Sequence, residues 1–221
     1  MHTLSKERLG KFTASSISKL FVKGAGATRD SYIFEKAEEI VRGHEKGFSS
    51  KHTEHGHLNE FEAIESFGEV TGLNVVYLEQ EFFKINENCG ATPDAKVVDF
   101  NNNLLATVDV KCPTETFFKQ KLAQLKESNP KYQNIPKDYF YQAQMQMLAM
   151  GATKHYLVRY LTSCDIDFDG NKIEYDLPLD VRLFYKVITE DKKVQAEILK
   201  AVELASVERD VLVEIFKKPI V

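Results

Sequence analysis

Two β-prone runs, residues 91–100 and 104–112, are separated only by Asn101-Asn102-Asn103. Consecutive asparagines between such runs read as a hairpin turn, because Asn tolerates left-handed backbone and bonds its own chain. Once the turn is placed, the strand register follows. Centring the turn on Asn102 sets Asp94 roughly opposite Asp109 and Val110. Residues two apart share a strand face. Leu105, Thr107, Asp109 and Lys111 therefore point one way, and Ala106, Val108 and Val110 the other. Asp94 and Asp109 converge, with Lys111 beside them.

Magnesium takes hard oxygen ligands, commonly one or two carboxylates with substrate phosphate and water. The two aspartates meet that need, and the backbone carbonyl of Val110 offers a third oxygen. The acid-x-Lys pattern alone is weak. It occurs at Asp94/Lys96, Asp109/Lys111, Glu190/Lys192 and Asp191/Lys193, and the last two read as a solvated helix start. An exposed strand of alternating charge would look the same. The wider set separates the readings: Gly90-Ala91-Thr92-Pro93-Asp94, the hairpin spacing, Glu60 on a preceding helix, and the glutamine-rich run 141–146 after it. The combination suits a magnesium-dependent nuclease.

The periodicity predicts helices over 13–22, 31–43, 58–72, 138–150 and 188–216. It predicts strands over 75–78, 81–85, 96–100, 104–111 and 155–162. This is an α/β pattern, a mixed sheet flanked by helices, and 221 residues fit a single domain over 1–221. With 43% hydrophobic residues the chain can build one core, and a net charge of −4 excludes a protein that coats DNA through overall basicity. A nuclease needs only a local basic groove, for which Lys11, Lys23, Lys111, Lys119, Lys121 and Lys126 are candidates. Cys89, Cys112 and Cys164 form no CxxC pair, which argues against a zinc ribbon or iron–sulfur site and for thiols in a reducing cytoplasm. His52, His55 and His57 read as a polar loop before the helix at Leu58 rather than as metal ligands. The N-terminus carries no signal-peptide pattern, and no apolar run is long enough to span a membrane.

These motifs, in this order, resemble the phage lambda exonuclease and YqaJ-type viral recombinases of the PD-(D/E)xK nuclease superfamily. The likeness runs from Arg8-Leu9-Gly10 and Thr13-Ala14-Ser15, through Ser31-Tyr32, Gly56 and Asn59-Glu60-Phe61-Glu62-Ala63. It continues in Thr92-Pro93-Asp94, Asp109-Val110-Lys111-Cys112-Pro113 and residues 141–146, and ends in the long C-terminal helix. Asp109 departs from the lambda enzyme, which has Glu there.

The resemblance implies a restriction-endonuclease-like core that degrades double-stranded DNA ends 5′ to 3′. The 3′ overhang would pass to a single-strand annealing protein. Asp94, Asp109, the Val110 carbonyl and Glu60 would hold two Mg²⁺ ions, replaceable by Mn²⁺. Lys111 would orient the attacking water, with Gln144 as the glutamine that helps orient it. Arg8 and Ser15 match residues that hold the 5′-phosphate, with Thr92 as an added hydroxyl and Tyr141 in the DNA-binding set. A ring-shaped homotrimer is implied as well. Two alternatives stay open: another nuclease of the superfamily, endonucleolytic or CRISPR-associated, and a non-catalytic protein that binds DNA ends.

Overall fold

The hairpin forms, with a shift. In the computed structural model, which describes residues 6–22, 27–44, 51–115, 118, 130–162, 164–166, 172–175 and 177–218, β5 (Ala95–Val98) pairs antiparallel with β6 (Leu104–Lys111). Asn102 takes the left-handed conformation at φ 64°. The Asp99 carboxylate accepts from Asn101 N–H and Asn103 N–H, both at 2.8 Å, so it stitches the turn. A bulge between Val97 and Val98 moves the register by one, pairing Ala95 with Val108. Asp94 therefore faces Asp109 rather than Val110, and its N–H donates to the Val108 carbonyl at 3.1 Å.

The run 91–100 is not one strand. Its start belongs to β4 (Cys89–Ala91), which joins β1 (Phe12–Thr13) and β3 (Phe83–Asn86) in a three-stranded sheet ordered β1-β4-β3. Its remainder is β5 of a five-stranded sheet that also contains β2 (Asn74–Tyr77), β7 (Lys154–Tyr160) and β10 (Leu183–Thr189), in the order β10-β7-β6-β5-β2. Thr92-Pro93-Asp94 bridges the sheets, where a residue without an N–H costs no ladder bond. The five-stranded sheet is mixed, because β6 and β7 run parallel while its other pairs are antiparallel. A small hairpin, β8 (Cys164–Ile166) with β9 (Lys172–Glu174), stands apart from it.

Alternation sorts the sheet faces. Ala106, Val108 and Val110 pack with Val97 and Val158 against Ala63, Ile64 and Phe67 of α2 (Lys51–Thr71). The opposite face lies under α3 (Lys137–Met150), where Leu157 joins a cluster with Phe140, Ala143 and Met147 and with Ile198 and Val202 of the terminal helix. Helix α3 stops at Gly151, which adopts the left-handed φ of 72° that a C-terminal cap requires. A single turn, α4 (Leu179–Arg182), leads into β10. No helix among the described residues is long and apolar enough to cross a membrane.

Several expectations change. The segment 13–22 is a 3₁₀ helix over Ala14–Phe21 rather than an α-helix. The expected loop holding His52, His55 and His57 is already helical, since α2 begins at Lys51; those histidine side chains lie outside the described residues. The expected helix over 31–43 is α1 (Ala27–Arg42), and the one over 188–216 is α5 (Lys192–Phe216), capped by the Asp191 carboxylate on Lys193 N–H and Val194 N–H. Ile188 and Thr189 end β10, whose alternating burial marks it as a strand against the sheet edge.

The Arg8-Leu9-Gly10 turn is clamped from three sides. Gly10 has φ 68°, and a Cβ there would fall 2.3 Å from Ile40 Cγ1. Its N–H donates to Glu39 Oε2 at 3.0 Å, and its carbonyl accepts from Arg209 Nη1 at 2.7 Å. Lys36 neutralises Glu39 through a buried contact of 2.6 Å, and Arg209 also reaches Asn88 Oδ1 at 2.9 Å. Helices α1 and α5 thereby hold the N-terminal turn beside β4.

His155 of β7 is 1% exposed and shares a hydrogen bond of 2.8 Å with Thr107 Oγ1 across the parallel pair. Burial lowers its pKa to about 4, with nearby Asp109 opposing and Lys111 assisting. The unfolded chain therefore takes this proton first, near the ordinary pKa of about 6.5. The histidine's contribution is complete above that pH and is lost as pH falls toward 4. Urea denaturation should show wild-type stability falling with a slope of up to ~1.4 kcal/mol per pH unit across that window, relative to His155→Gln. Parallel pH profiles for the two proteins would contradict it.

Candidate active site

Asp109 is 2% exposed, and a charge so deep in the fold requires donors. Lys111 Nζ lies 2.6 Å from Oδ2. Gln142 and Gln146 of α3 donate to Oδ1 at 2.6 and 3.0 Å. The two glutamines are four apart and so share one helix face. Gln146 Nε2 also reaches the Thr92 carbonyl at 3.4 Å, which ties α3 to the bridge between the sheets.

Gln144, the glutamine expected here, is not at the carboxylates. Two residues from each of the others, it faces the opposite side of α3. Its amide donates to the Thr189 carbonyl at 2.8 Å and accepts from Asp191 N–H at 2.8 Å, joining β10 to the start of α5. Gln142 and Gln146 take the place assigned to it. Their i, i+4 spacing on a helix facing an acidic strand is the signal that finds them.

Asp94 sits at the end of β5, and its Oδ2 accepts from Val110 N–H at 2.6 Å. Burial holds its carboxyl well above the usual carboxylate range. The facing Asp109 charge and that of Glu60 add to the shift, and Lys111 and the Val110 N–H oppose it. Glu60 is buried on α2. Burial alone would lower the Lys111 pKa; Asp109 and Asp94 outweigh it and raise it, so the ammonium stays charged. Cys112 lies behind this group and donates to the Asn59 carbonyl at 3.6 Å, and burial pushes its thiol up to about 12. A protonated thiol is a poor ligand, so the oxygens are the donors available.

Three carboxylates thus share a neighbourhood with one lysine. Among the described residues no three His, Cys, Asp or Glu side chains form a ready-made cage. The donor set is a facing pair of aspartates, with Glu60 and the Val110 carbonyl nearby. That set fits Mg²⁺, which keeps several waters and takes few protein ligands. Burial first, and the Asp109 and Glu60 charges after it, raise the Asp94 pKa, and a divalent cation at the pair would oppose all of these.

Of the expected phosphate residues, Arg8 precedes and Ser15 follows β1, and Thr92 follows β4. Thr13 pairs with Gly90 in parallel register, so the 3₁₀ segment begins at Ala14 next to the end of β4. Gly90 permits this approach, since a Cβ would meet Phe82 Cζ at 2.3 Å and the Phe83 carbonyl at 2.6 Å. Ser15 is exposed at the start of the 3₁₀ segment, and Arg8 is half-buried on the clamped turn. Tyr141 does not join them. It is buried in the core, its ring 4.4 Å from that of Phe21. The Lys11 ammonium donates to the Glu87 carbonyl at 2.6 Å on the surface. Lys23, Lys119, Lys121 and Lys126 lie outside the described residues.

The model of the YqaJ-like viral recombinase domain matches residues 5–153. Among solved structures, LHK-Exo in complex with dAMP is 25% identical, covers 97% of this chain and 95% of its own, and has a TM-score of 0.74. The alkaline exonuclease LHK-Exo from Laribacter hongkongensis is 24% identical, with 95% and 93% covered and a TM-score of 0.74. A phage related exonuclease from Haemophilus somnus 129PT is 20% identical, with 94% and 96% covered and a TM-score of 0.73. No curated protein sequence matches. The fold is restriction-endonuclease-like. Its acidic hairpin, clamped Arg8-Leu9-Gly10 turn and glutamine-bearing helix all fall within the matched span, and the chain belongs to the YqaJ-like viral recombinase domain family.

Proposed function

We propose that this chain is a single-domain, metal-dependent exodeoxyribonuclease that degrades double-stranded DNA ends 5′ to 3′. The 3′ overhangs would pass to a single-strand annealing protein. The observation that carries the reading is Asp94 facing Asp109 across β5 and β6, with Lys111 paired to Asp109 at 2.6 Å. The alkaline exonucleases of similar fold support it.

In this reading Asp94, Asp109 and the Val110 carbonyl hold Mg²⁺, and Glu60 positions a second ion or its water; Mn²⁺ can replace either. When bound, the metal supplies charge stabilisation to the attacking and leaving oxygens of an in-line displacement. Lys111 stays protonated beside Asp109, so it can orient the attacking water and favour its deprotonated form. Gln142 and Gln146 fix the Asp109 carboxylate, so that it meets the metal without rearranging. Arg8, Ser15 and Thr92 hold the 5′-phosphate. The start of the 3₁₀ segment at Ala14 contributes backbone N–H groups there, and the Arg8 guanidinium can bind the phosphate bidentately. Each cut leaves a new 5′-phosphate for the same pocket.

Asp109→Asn and Asp94→Ala should abolish cleavage of linear duplex in Mg²⁺ while DNA binding is largely kept, because phosphate contacts along the groove remain. Lys111→Ala should lower the rate by ~10²–10⁴-fold without unfolding the protein. Near-normal cleavage by Asp109→Asn would refute the assignment, and full duplex binding without cleavage by the wild type would favour an end-binding protein.

Duplex with a 5′-phosphate should be degraded faster than duplex with a 5′-hydroxyl, and Arg8→Ala should erase most of that preference. Equal wild-type rates on the two ends, or degradation starting at the 3′ end, would exclude the pocket.

The assembly proposed is a homotrimer. Light scattering should give about three times the 25.2 kDa chain mass, and a monomer at every accessible concentration would reject it.

A further inference from the structure

Arg159 heads the largest fully buried side chains, at 2% exposure. It stands beside Lys111 in the parallel register of β6 and β7, so both side chains leave the sheet on the face that carries Asp109. Its Nε and Nη2 are buried with no hydrogen-bond partner among the described residues. One face of the guanidinium meets the Tyr139 ring, with 4.9 Å from its carbon to the ring centroid. Lys111 Nζ lies 5.9 Å from the same centroid. Tyr139 is half-buried near the start of α3, and Lys111 is 29% exposed, so the cluster runs from the buried Arg159 to side chains that reach the surface in part.

Among the described residues no anion pairs with Arg159; a buried cation is unfavourable without one, and a ring contact offsets only part of the lost hydration. Asp109 on the same face is not bonded to the guanidinium: Oδ1 accepts from Gln142 and Gln146, and Oδ2 has Lys111 Nζ at 2.6 Å as its ion-pair partner. The two unpartnered nitrogens share one edge of the guanidinium. With the ring against its face, that edge presents two parallel N–H groups, the fork that matches a phosphate oxygen pair.

We propose that Arg159 is a phosphate-binding residue. It seats a backbone phosphate of the DNA strand next to the phosphate addressed by Lys111 and the two aspartates. The identity of the anion rests on the nuclease reading above; the anion site itself rests on the buried, unpartnered fork. Lys111 and Arg159, side by side under Tyr139, then grip two successive phosphates and set which one lies over the carboxylates.

The test uses Arg159→Met and Arg159→Lys in the full chain. In chelator, inorganic phosphate should raise the wild-type melting temperature above that in chloride at equal ionic strength. Arg159→Met should melt at or above the wild-type temperature without phosphate and lose most of the phosphate-dependent rise, whereas Arg8→Ala should keep the part due to Arg159. In Mg²⁺, Arg159→Met should raise KM for duplex about ten-fold or more, the loss expected for hydrogen bonds to a charged group. Arg159→Lys should recover part of that loss. If Arg159→Met melts well below wild type yet keeps the phosphate rise and the KM, the guanidinium is structural and the proposal falls. If Arg159→Met does not fold, an unchanged KM in Arg159→Lys overturns it and a raised KM sustains it. The chelator arm needs no cleavage. A phosphate rise that depends on Arg159 in a protein without nuclease activity would keep this site and reject the nuclease reading, and the reverse pattern would do the opposite.

Discussion

A carboxylate that is 2% exposed exists as an anion only if the fold pairs it, and the centre of this molecule is arranged around Asp109. One partner, Lys111, comes from the same strand two residues on. The others, Gln142 and Gln146, come from a helix laid across that face. Removing one partner of such a group costs on the order of 3–5 kcal/mol, because the remaining charge stays buried. The docking of α3 on the sheet is therefore polar at its middle and apolar around it, with Phe140, Ala143 and Met147 in the surrounding core. Polar contacts of this kind have a narrow optimum in distance and angle, so they set the position of α3 more sharply than apolar packing does.

The same arrangement leaves Asp94 under strain of charge. It faces Asp109, has Glu60 nearby, and draws on a single lysine and one backbone N–H. The fold does not relax this crowding by moving Asp94 away, because Thr92-Pro93-Asp94 is the crossing between two sheets and both ends are tied into ladders. Negative charge held together by backbone that cannot retreat is the electrostatic condition for binding a divalent cation. A few residues off, β1 pairs with β4, after which Ser15 and Thr92 follow in the chain, and the Glu39–Gly10–Arg209 clamp fixes the turn that carries Arg8. The residues proposed for the phosphate are thus drawn from segments that adjoin β1 and β4, next to the crossing that carries Asp94.

Much of the site was legible in the chain itself. The period of two along β6 and the asparagine turn place Asp94 against Asp109, because both signals are local and a hairpin propagates them over only a few residues. The structure adjusts that reading by one position, through a bulge at Val97 and Val98 that no composition rule flags. The helix over 138–150 was equally clear. Which of its glutamines meets the acid was not: Gln142, Gln144 and Gln146 alternate sides of the helix, and all three are buried and hydrogen-bonded. Periodicity names two faces, and only the packing of α3 between the sheet and α5 assigns them. The same ambiguity misplaced Tyr141, an aromatic that packs in the core beside Phe21.

By itself the sequence determined the α/β class, the acidic hairpin and the family's run of motifs, since each depends on residues close together in the chain. The tertiary structure alone decided the rest. The splitting of 91–100 between two sheets, the pairing of β1 with β4 and the meeting of Lys111 with Arg159 join residues separated by tens of positions. Ladder geometry and buried charge select those partners, and neither exists until the chain has folded.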